Sequence, residues 1–229
     1  MVILPHPDDE VFGMGGTIAA KFAAGAECVF ILASLGEKSH CQCCLSSESM
    51  IKAKRREQFS AALAALGVLN PSIIELGLVD SEFPVAGTGY YAQCLERIAE
   101  LLREVAPEEV YYPAKNDSHP DHKALSILCS EGITQSRLSC RELRYITWGW
   151  YLPSVKLCKE LARSNVVKVD GQSWAERKQE AIDIYLKSPP APCGEPYCGH
   201  LPKLLIEVFS ESQEFFLSQH NVISFKSEV

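Results

Sequence analysis

The chain has 229 residues, of which 47% are hydrophobic and 22% charged, with 22 basic against 29 acidic side chains and a net charge of −7. This composition is typical of a globular protein and excludes collagen, coiled coils and wholesale disorder. The negative charge has the wrong sign for sequence-independent binding to phosphate backbones, so nucleic acid is not an expected partner. The longest apolar runs are too short to span a bilayer.

The cysteine content and the start of the chain indicate a compartment. Ten cysteines, about 4% of the residues, are many for a cytosolic protein. The fraction is well below the roughly 8–10% of a short disulfide scaffold. Met1 is followed by a short apolar run and then a polar cluster, which does not resemble a secretory leader. We therefore expect a cytoplasmic protein with mostly reduced thiols. So few residues precede His6 that we also expect a few native residues to be missing from the front.

The first half of the chain repeats a short apolar run, a polar loop and a segment with helical periodicity. This repeat is typical of βαβ units and predicts an α/β fold with a parallel sheet. The predicted elements are strand Val2–Leu4, helix Phe12–Ala24, strand Cys28–Ser34, helix Met50–Leu66, strand Ser72–Leu76, helix Tyr91–Val105 and strand Glu109–Tyr112.

The second half of the chain is less regular. Its predicted elements are a helix from about Pro120 to Cys129, strands Leu143–Leu152 and Val166–Val169, and helix Trp174–Leu186. Residues 188–202 contain five prolines and two glycines and are predicted to form a loop or lid. The tail from Lys203 onward is ambiguous between helix and strand.

Two polar clusters follow two of the predicted strands. His6 to Glu10 (HPDDE) comes directly after the first strand, and His119 to His122 (HPDH) comes shortly after the fourth. Ligands of open α/β sheets bind outside the carboxyl ends of the strands. We therefore expect both clusters at one edge of the sheet.

The side chains of the two clusters suit a divalent metal. Zinc binds imidazole nitrogen and carboxylate oxygen, and a catalytic site keeps one open position beside three protein ligands. Residues three apart at a helix start point to one side, so His6 can converge with Asp9. We assign His6, Asp9 and His122 as ligands of zinc, with another divalent metal such as Fe²⁺ as the alternative.

The remaining residues of the clusters have the chemistry of acid and base catalysis. Asp8 is the candidate base for a water whose pKa the metal lowers. A cationic His119 would stabilise the charge that develops on a carbonyl oxygen and protonate a leaving amine. Asp121 would orient the His119 ring and raise its pKa. These assignments predict metal-assisted hydrolysis of an amide or ester.

Each cluster alone also has an ordinary structural interpretation, since Asp before a helix is commonly an N-cap. The two together favour a functional site. Three carboxylates and three imidazoles gathered without a metal or a reaction would repel each other or stay unpaired.

On these motifs the chain resembles the LmbE-like, or PIG-L, family of zinc-dependent N-deacetylases. The signatures of that family are (P/A)HPDDE at the first strand and a later HPDH, which stand here as residues 5–10 and 119–122. Weaker similarity extends through Gly15-Gly16-Thr17, Leu35-Gly36-Glu37, Arg55, Leu76 to Asp80 and Asp117, so that residues 1–125 are covered.

The resemblance implies a Rossmann-like three-layer sandwich with a mostly parallel sheet, and one domain over residues 1–229 in which about 140–229 form a variable rim and lid. It implies removal of the acetyl group from an N-acetylglucosamine-type sugar on a larger aglycone, by a homo-oligomer. It adds Arg55 and Asp80 as substrate contacts. Arg55, however, lies in a charge run typical of a solvated helix face, and Asp80 could be a turn residue.

The second half departs from the family pattern. Lys178 and Ala181 match its last helix, but the Ser-Gln that commonly follows is replaced by Ser188-Pro189-Pro190. The choice of aglycone is therefore open.

Two loops carry most of the remaining cysteine and histidine. His40, Cys41, Cys43 and Cys44 lie in one, and Cys193, Cys198 and His200 in the other. Either loop could form a structural zinc site or disulfides, although neither has paired C-x-x-C motifs. Scattered reduced thiols are the alternative.

Three rival functions follow from the same residues. A nucleotide-binding Rossmann protein needs G-x-G-x-x-G directly after the strand, whereas His6 to Glu10 intervene and position 18 is Ile. A non-catalytic carbohydrate-binding relative would be signalled by loss of Asp8 or of a ligand, and none is lost. A metal hydrolase of an ester or another amide uses the same groups and stays open.

Overall fold

The computed structural model describes residues 1–43 and 46–218. Within these ranges seven strands form a single sheet. The strands are β1 (Val2–Leu4), β2 (Val29–Leu32), β3 (Ser72–Glu75), β4 (Glu109–Pro113), β5 (Arg141–Tyr145), β6 (Asn165–Asp170) and β7 (Gln213–Ser218). The helices are α1 (Asp9–Ala23), α2 (Glu48–Ala65), α3 (Gly89–Val105), α4 (Pro120–Ser136), α5 (Val155–Arg163), α6 (Ala175–Leu186) and α7 (Lys203–Phe209), with short 3-10 helices at Trp148–Trp150 and Gln172–Trp174.

The strand order is β3-β2-β1-β4-β5-β7-β6. The first five strands pair in parallel, and β7 runs antiparallel to both β5 and β6. From β1 the chain winds outward through β2 to β3. From β4 it continues in the other direction to β5 and then to β6 at the edge, and β7 returns to lie between β5 and β6. The carboxyl ends of β1 and β4 therefore form a topological switch point, where ligands of such sheets bind.

Side chains alternate between two cores on opposite faces of the sheet. In β1, Val2 and Leu4 pack into one core and Ile3 into the other, and all three are buried. Helices α1, α2 and α6 cover the first face, while α3 and α4 cover the second. The predicted α/β, Rossmann-like three-layer sandwich with a mostly parallel sheet is confirmed.

Side-chain caps place the helix starts a few residues earlier than hydrophobic periodicity predicts. The Ser47 hydroxyl accepts from the backbone N–H of Met50, so α2 begins at Glu48. The Thr88 hydroxyl accepts from the backbone N–H of Tyr91 in the same way, so α3 begins at Gly89. Capping residues are polar, and a search for apolar periodicity therefore misses the first turn.

The second half of the chain corrects one prediction, adds a helix and resolves an ambiguity. The strand predicted at Leu143–Leu152 ends at Tyr145 and is followed by a 3-10 helix. Helix α5 was not predicted, although Ser154 caps it by accepting from Leu157 N–H. The ambiguous tail contains a helix and then a strand, α7 and β7. Cys44 and residues 219–229 lie outside the described residues.

None of the described helices is long and apolar enough to cross a membrane.

Candidate active site

The two polar clusters meet where β1 and β4 end side by side. They line a cleft with a volume of about 160 Å³. The cleft is lined by His6, Asp8, Asp9, Phe12, Lys38, Ser39, Arg55, Asp80, Ser81, His119, His122, Thr147, Trp148, Cys198, Leu201 and Phe209. All three predicted metal ligands, the candidate base, His119 and both predicted substrate contacts are in this set. Asp121 is buried directly behind it, against His6.

The structure brings His6, Asp9 and His122 together. One ligand atom from each lies within 4.8 Å of the others, and all three residues are buried. Asp9 Oδ2 is 3.5 Å from His6 Nδ1 and 3.4 Å from His122 Nε2. Three convergent ligand atoms at these separations fit a single divalent cation.

His122 is held by groups outside the predicted set. The hydroxyl of Thr147 lies 3.0 Å from its Nδ1, and that hydroxyl donates to Asp117 Oδ2 at 3.5 Å. Thr147 thus accepts from Nδ1–H, which leaves the Nε2 lone pair directed at Asp9. Nε2 is buried and has no hydrogen-bond partner in the described residues. In the neutral ring this nitrogen is a buried acceptor without a donor, which is costly, and a metal ion would satisfy it.

His6 is held by two carboxylates on the opposite side of its ring. Its Nε2 lies 3.1 Å from Asp121 Oδ2 and 3.4 Å from Asp80 Oδ1. Carboxylates commonly orient metal-binding imidazoles in this way. The expectation that the Asp121 carboxylate orients His119 is therefore corrected, because that carboxylate contacts His6 and the backbone N–H of Ser81 instead.

The charges around the ligands favour a cation. Burial opposes charge on His6 and His122, yet the surrounding carboxylates raise the pKa of both imidazoles. Despite burial, the imidazoles hold the pKa of Asp9 well below its usual range, and His6 does the same for the pKa of Asp80. The negative electrostatic potential of the carboxylates, which stabilises a protonated imidazole, also stabilises a bound divalent cation. The residues present therefore fit a metal.

Asp8 has a strained backbone and an activated side chain. Its φ is 117°, a value that residues with a Cβ rarely adopt, and its side chain makes no capping hydrogen bond to α1. Glu10 Oε2 accepts from the Asp8 N–H at 2.8 Å and holds this conformation. Burial raises the pKa of Asp8 to about 7, although the neighbouring guanidinium of Arg55 lowers it. A base whose pKa is near neutral is well matched to proton transfer.

Arg55 is buried rather than solvated, which corrects the alternative of an exposed charge run. Its Nη2 donates to Asp8 Oδ2 at 2.9 Å and also to the Pro7 carbonyl, and its Nη1 donates to the Gly36 carbonyl at 3.1 Å. Gly36 has φ +63°, and a Cβ there would lie 1.7 Å from Arg55 Nη1. The glycine is therefore needed for the guanidinium to reach Asp8.

His119 is the N-cap of α4 and has a lowered pKa. Burial, together with the charges of His122 and His6, lowers its pKa to about 4. The neutral ring accepts from Asp121 N–H at Nδ1, at 3.3 Å, so its proton lies on Nε2. The expectation of a cationic His119 with a raised pKa is corrected, because two neighbouring imidazoles disfavour a further positive charge.

Sequence reasoning missed Thr147 and gave Asp117 no role in the site. Asp117 precedes the HPDH motif by two residues, which is a usable signal. It is fully buried and accepts from the backbone N–H groups of His119 and Thr147. Thr147 follows β5 and has no local sequence signal, since only sheet pairing brings it beside His122.

The family is established by comparison with known proteins. A profile described as "PIG-L: GlcNAc-PI de-N-acetylase" matches residues 1–131, which is more than half of the chain. The chain belongs to the PIG-L family. The resemblance seen in the HPDDE and HPDH motifs is confirmed.

Named relatives act on conjugates of N-acetylglucosamine. The chain is 27% identical over 128 residues to probable N-acetyl-alpha-D-glucosaminyl L-malate deacetylase 2 of Bacillus cereus, which covers 54% of this chain and 56% of that protein. It is 30% identical over 135 residues to 1D-myo-inositol 2-acetamido-2-deoxy-alpha-D-glucopyranoside deacetylase of a Mycobacterium species. That match covers 51% of this chain and 44% of that protein. The chain thus spans about half the length of the curated relatives it matches.

Solved structures share the fold. N,N'-diacetylchitobiose deacetylase from Pyrococcus horikoshii matches with a TM-score of 0.64 and 24% identity, over 90% of this chain and 72% of that one. GalB, the 4-carboxy-2-hydroxymuconate hydratase from Pseudomonas putida, matches with a TM-score of 0.72 and 18% identity, over 99% of this chain and 98% of that one. At these identities the likeness shows the fold alone.

Proposed function

We propose that this protein is a zinc-dependent deacetylase that hydrolyses the N-acetyl group of an N-acetylglucosamine-type conjugate. The observation that carries the proposal is the convergence of His6, Asp9 and His122 beside the strained Asp8, with no hydrogen-bond partner for His122 Nε2 in the part of the chain that the structure describes. The two named relatives are deacetylases of amino-sugar conjugates, which supports the same reaction class.

His6, Asp9 and His122 would hold the metal. A divalent ion such as zinc lowers the pKa of a coordinated water and polarises an acyl carbonyl. Asp80 and Asp121 keep the His6 ring fixed, while Thr147 fixes His122. Both imidazole ligands are therefore oriented before a metal binds, which limits the reorganisation during the reaction.

Asp8 accepts the proton of the attacking water. Its pKa of about 7 allows it to be deprotonated in the resting state and to hold a proton afterwards. Arg55 binds only one of its two carboxylate oxygens, Oδ2. The guanidinium thereby fixes the side chain, and we assign it a positioning role in addition to any substrate contact.

His119 acts as a neutral hydrogen-bond donor. Because its Nδ1 accepts from a backbone N–H, its Nε2–H is available to the oxygen on which negative charge develops. A neutral imidazole can polarise a carbonyl in this way. After Asp8 has taken the proton from water, that proton is available to the leaving amine.

The size of the cleft limits which part of the substrate enters it. Its volume of about 160 Å³ is smaller than the about 300–1,000 Å³ of pockets that enclose drug-sized ligands. Only the acetamido group and the adjoining part of the sugar would be enclosed, between aromatic side chains that include Phe12 and Trp148. The aglycone would lie outside, against the loops of the second half.

The test measures release of free amine from N-acetylglucosamine conjugates that carry malate, inositol or a second sugar. Zinc-loaded protein should release amine, and chelated protein should not. Asp8→Asn should keep its metal and lose about 10²–10⁴-fold in rate, because a general base is removed and the ligands remain. Asp183→Asn, at an exposed ion pair on α6, is the matched control and should keep full activity.

Three results would contradict the proposal or a part of it. Full activity of Asp8→Asn would remove Asp8 from the mechanism. Full metal content in His122→Ala would mean that the ligand set is wrong. Zinc-loaded protein that releases no amine from any conjugate would point to another acyl bond, or to a different reaction on this fold.

A further inference from the structure

Another group of side chains that could hold a metal ion lies outside the proposed ligands His6, Asp9 and His122 (the catalytic set). It joins the loop after β2, residues 33–43, to the proline-rich loop, residues 188–202. His40 Nδ1 lies 3.2 Å from Cys43 Sγ and 3.4 Å from Cys193 Sγ, and the two sulfurs are 3.6 Å apart. We propose that His40, Cys43 and Cys193 bind a zinc ion that ties these two loops together.

The separations match the edges of a zinc coordination sphere. Tetrahedral zinc with Zn–S bonds of about 2.3 Å and a Zn–N bond of about 2.1 Å places its sulfurs about 3.8 Å apart and each sulfur about 3.6 Å from the nitrogen. The three observed distances are each within a few tenths of an ångström of these values. An ion therefore fits with only small shifts of the side chains.

The His40 ring presents the correct nitrogen. Its Nε2 lies 2.9 Å from the Pro196 carbonyl, which can only accept, so Nε2 carries the proton. The Nδ1 lone pair is then directed at the two sulfurs. Backbone carbonyls fix the tautomer of metal-binding histidines in this manner. His40 is 1% exposed, so its ring is held firmly in this orientation.

The chemistry of the set favours zinc over a disulfide. Two thiolates and an imidazole are soft and intermediate ligands of the kind that select zinc. A disulfide requires sulfurs about 2.05 Å apart, well below the observed separation, and it would leave the imidazole without a role. Cys43 is exposed and Cys193 partly exposed, so water can supply the fourth ligand.

The site would fix one wall of the catalytic cleft. Lys38 and Ser39 line the cleft from the first loop, and Cys198 and Leu201 line it from the second. The loops already contact each other, since the Ser39 hydroxyl donates to the Tyr197 carbonyl at 3.0 Å. A metal link between residues 43 and 193 would hold the two loops that form this wall at a constant distance from each other.

Cobalt substitution tests the site directly. Co²⁺ bound to cysteine gives a thiolate charge-transfer absorption in the near ultraviolet, whereas the catalytic set contains only nitrogen and oxygen ligands. Protein reduced with a phosphine and titrated with Co²⁺ should show this band. Cys43→Ser and Cys193→Ser should each lose it and bind one metal ion fewer, while still binding the ion of the catalytic set. That retained ion shows that the variants are folded.

Two matched variants separate this site from its neighbours. Cys41→Ser removes an exposed thiol from the same loop and should keep the band. His122→Ala removes a proposed catalytic ligand and should also keep the thiolate band. The test of the second site is therefore independent of whether the proposed function is correct. No thiolate band in reduced wild-type protein, or an unchanged band in Cys193→Ser, would overturn the proposal.

Limited proteolysis tests whether the metal ties the two loops together. Lys187 and Lys203 flank the proline-rich loop, and their side chains are 71% and 91% exposed, so trypsin can cleave on both sides of it. Metal should slow this cleavage in His122→Ala, but not when Cys193→Ser is added to that variant. Equal rates with and without metal in His122→Ala would overturn the tether.

Discussion

Asp8 combines an unfavourable backbone conformation with the central chemical role that we propose. Residues held at such φ values cost about 1–3 kcal/mol and occur mostly at functional sites. Glu10 and the start of α1 hold the peptide in place, and Arg55 then meets the carboxylate at 2.9 Å. We infer that the strain positions the carboxylate at the cleft rather than at the end of the helix.

A pair of variants at position 8 measures this strain. Asp8→Gly and Asp8→Ala both lose the carboxylate and its pairing with Arg55, so they differ mainly in backbone freedom. Glycine tolerates positive φ, and we expect Asp8→Gly to be more stable than Asp8→Ala by about 1–3 kcal/mol. Urea unfolding of the two metal-free variants checks this, and equal stabilities would show that the backbone at Asp8 is unstrained.

At the scale of elements, α1 is interrupted, and a buried carboxylate caps the part of the helix that follows the break. Met14 has φ −161° and ψ 26°, which breaks the helix after its first turns. The backbone N–H groups of Gly16 and Thr17 that follow the break donate to the Glu214 carboxylate, at 2.8 Å each. Lys178 Nζ lies 3.0 Å from the same carboxylate. Helices α1 and α6 and strand β7 are therefore joined by one buried ionic group.

Breaking this group should destabilise the protein. Lys178→Met leaves a buried carboxylate without its cation, and loss of one partner of a buried pair costs about 3–5 kcal/mol. Lys187→Met is the matched control, because its Nζ forms an exposed pair with Asp183 on the same helix and such pairs contribute about 0–1 kcal/mol. Chemical denaturation of both variants checks the difference. A Lys178→Met variant as stable as Lys187→Met would show that Glu214 is satisfied by the backbone N–H groups of Gly16 and Thr17 together with the Thr17 hydroxyl, which donates to it at 2.6 Å.

At the scale of the molecule, the proposed metal ligands of the catalytic set lie between the two halves of the sheet. His6 and Asp9 follow β1, and His122 belongs to α4, which follows β4. A bound ion would thus cross-link both halves at the switch point. Ligands that bind only the folded state stabilise it by about 2.7 kcal/mol at a hundredfold excess over Kd.

We therefore expect zinc to raise the melting temperature. The measurement is best made on Cys43→Ser, so that only the catalytic set contributes, with saturating zinc compared against chelator. Adding His122→Ala to that variant should abolish most of the zinc-induced shift, whatever its effect on the metal-free melting temperature. An equal shift in both variants would place the ion elsewhere.

The second half of the chain completes a site that the first half begins. The family match ends at residue 131, yet Thr147 fixes His122, and Trp148, Cys198, Leu201 and Phe209 line the cleft. We propose that residues from about 140 onward form the rim that contacts the aglycone. The homo-oligomer implied by the resemblance stays a prediction.

The sequence alone was sufficient to predict the fold class and the meeting of HPDDE with HPDH. HPDDE comes directly after one buried strand and HPDH comes shortly after another, and the βαβ pattern forces the ends of parallel strands to one edge of the sheet. Local spacing also predicted that His6 and Asp9 converge, since they are three residues apart at a helix start.

Only the tertiary structure decided which groups surround those residues. The partners of His6, His122 and Asp8 come from other loops, and no local pattern predicts that Asp121 faces His6 rather than His119. The same holds for His40 and Cys193, which are far apart in sequence and adjacent in space. Charge states follow these contacts, because burial and neighbouring charges set each pKa. The neutral His119 could therefore be recognised only once the imidazoles beside it were placed.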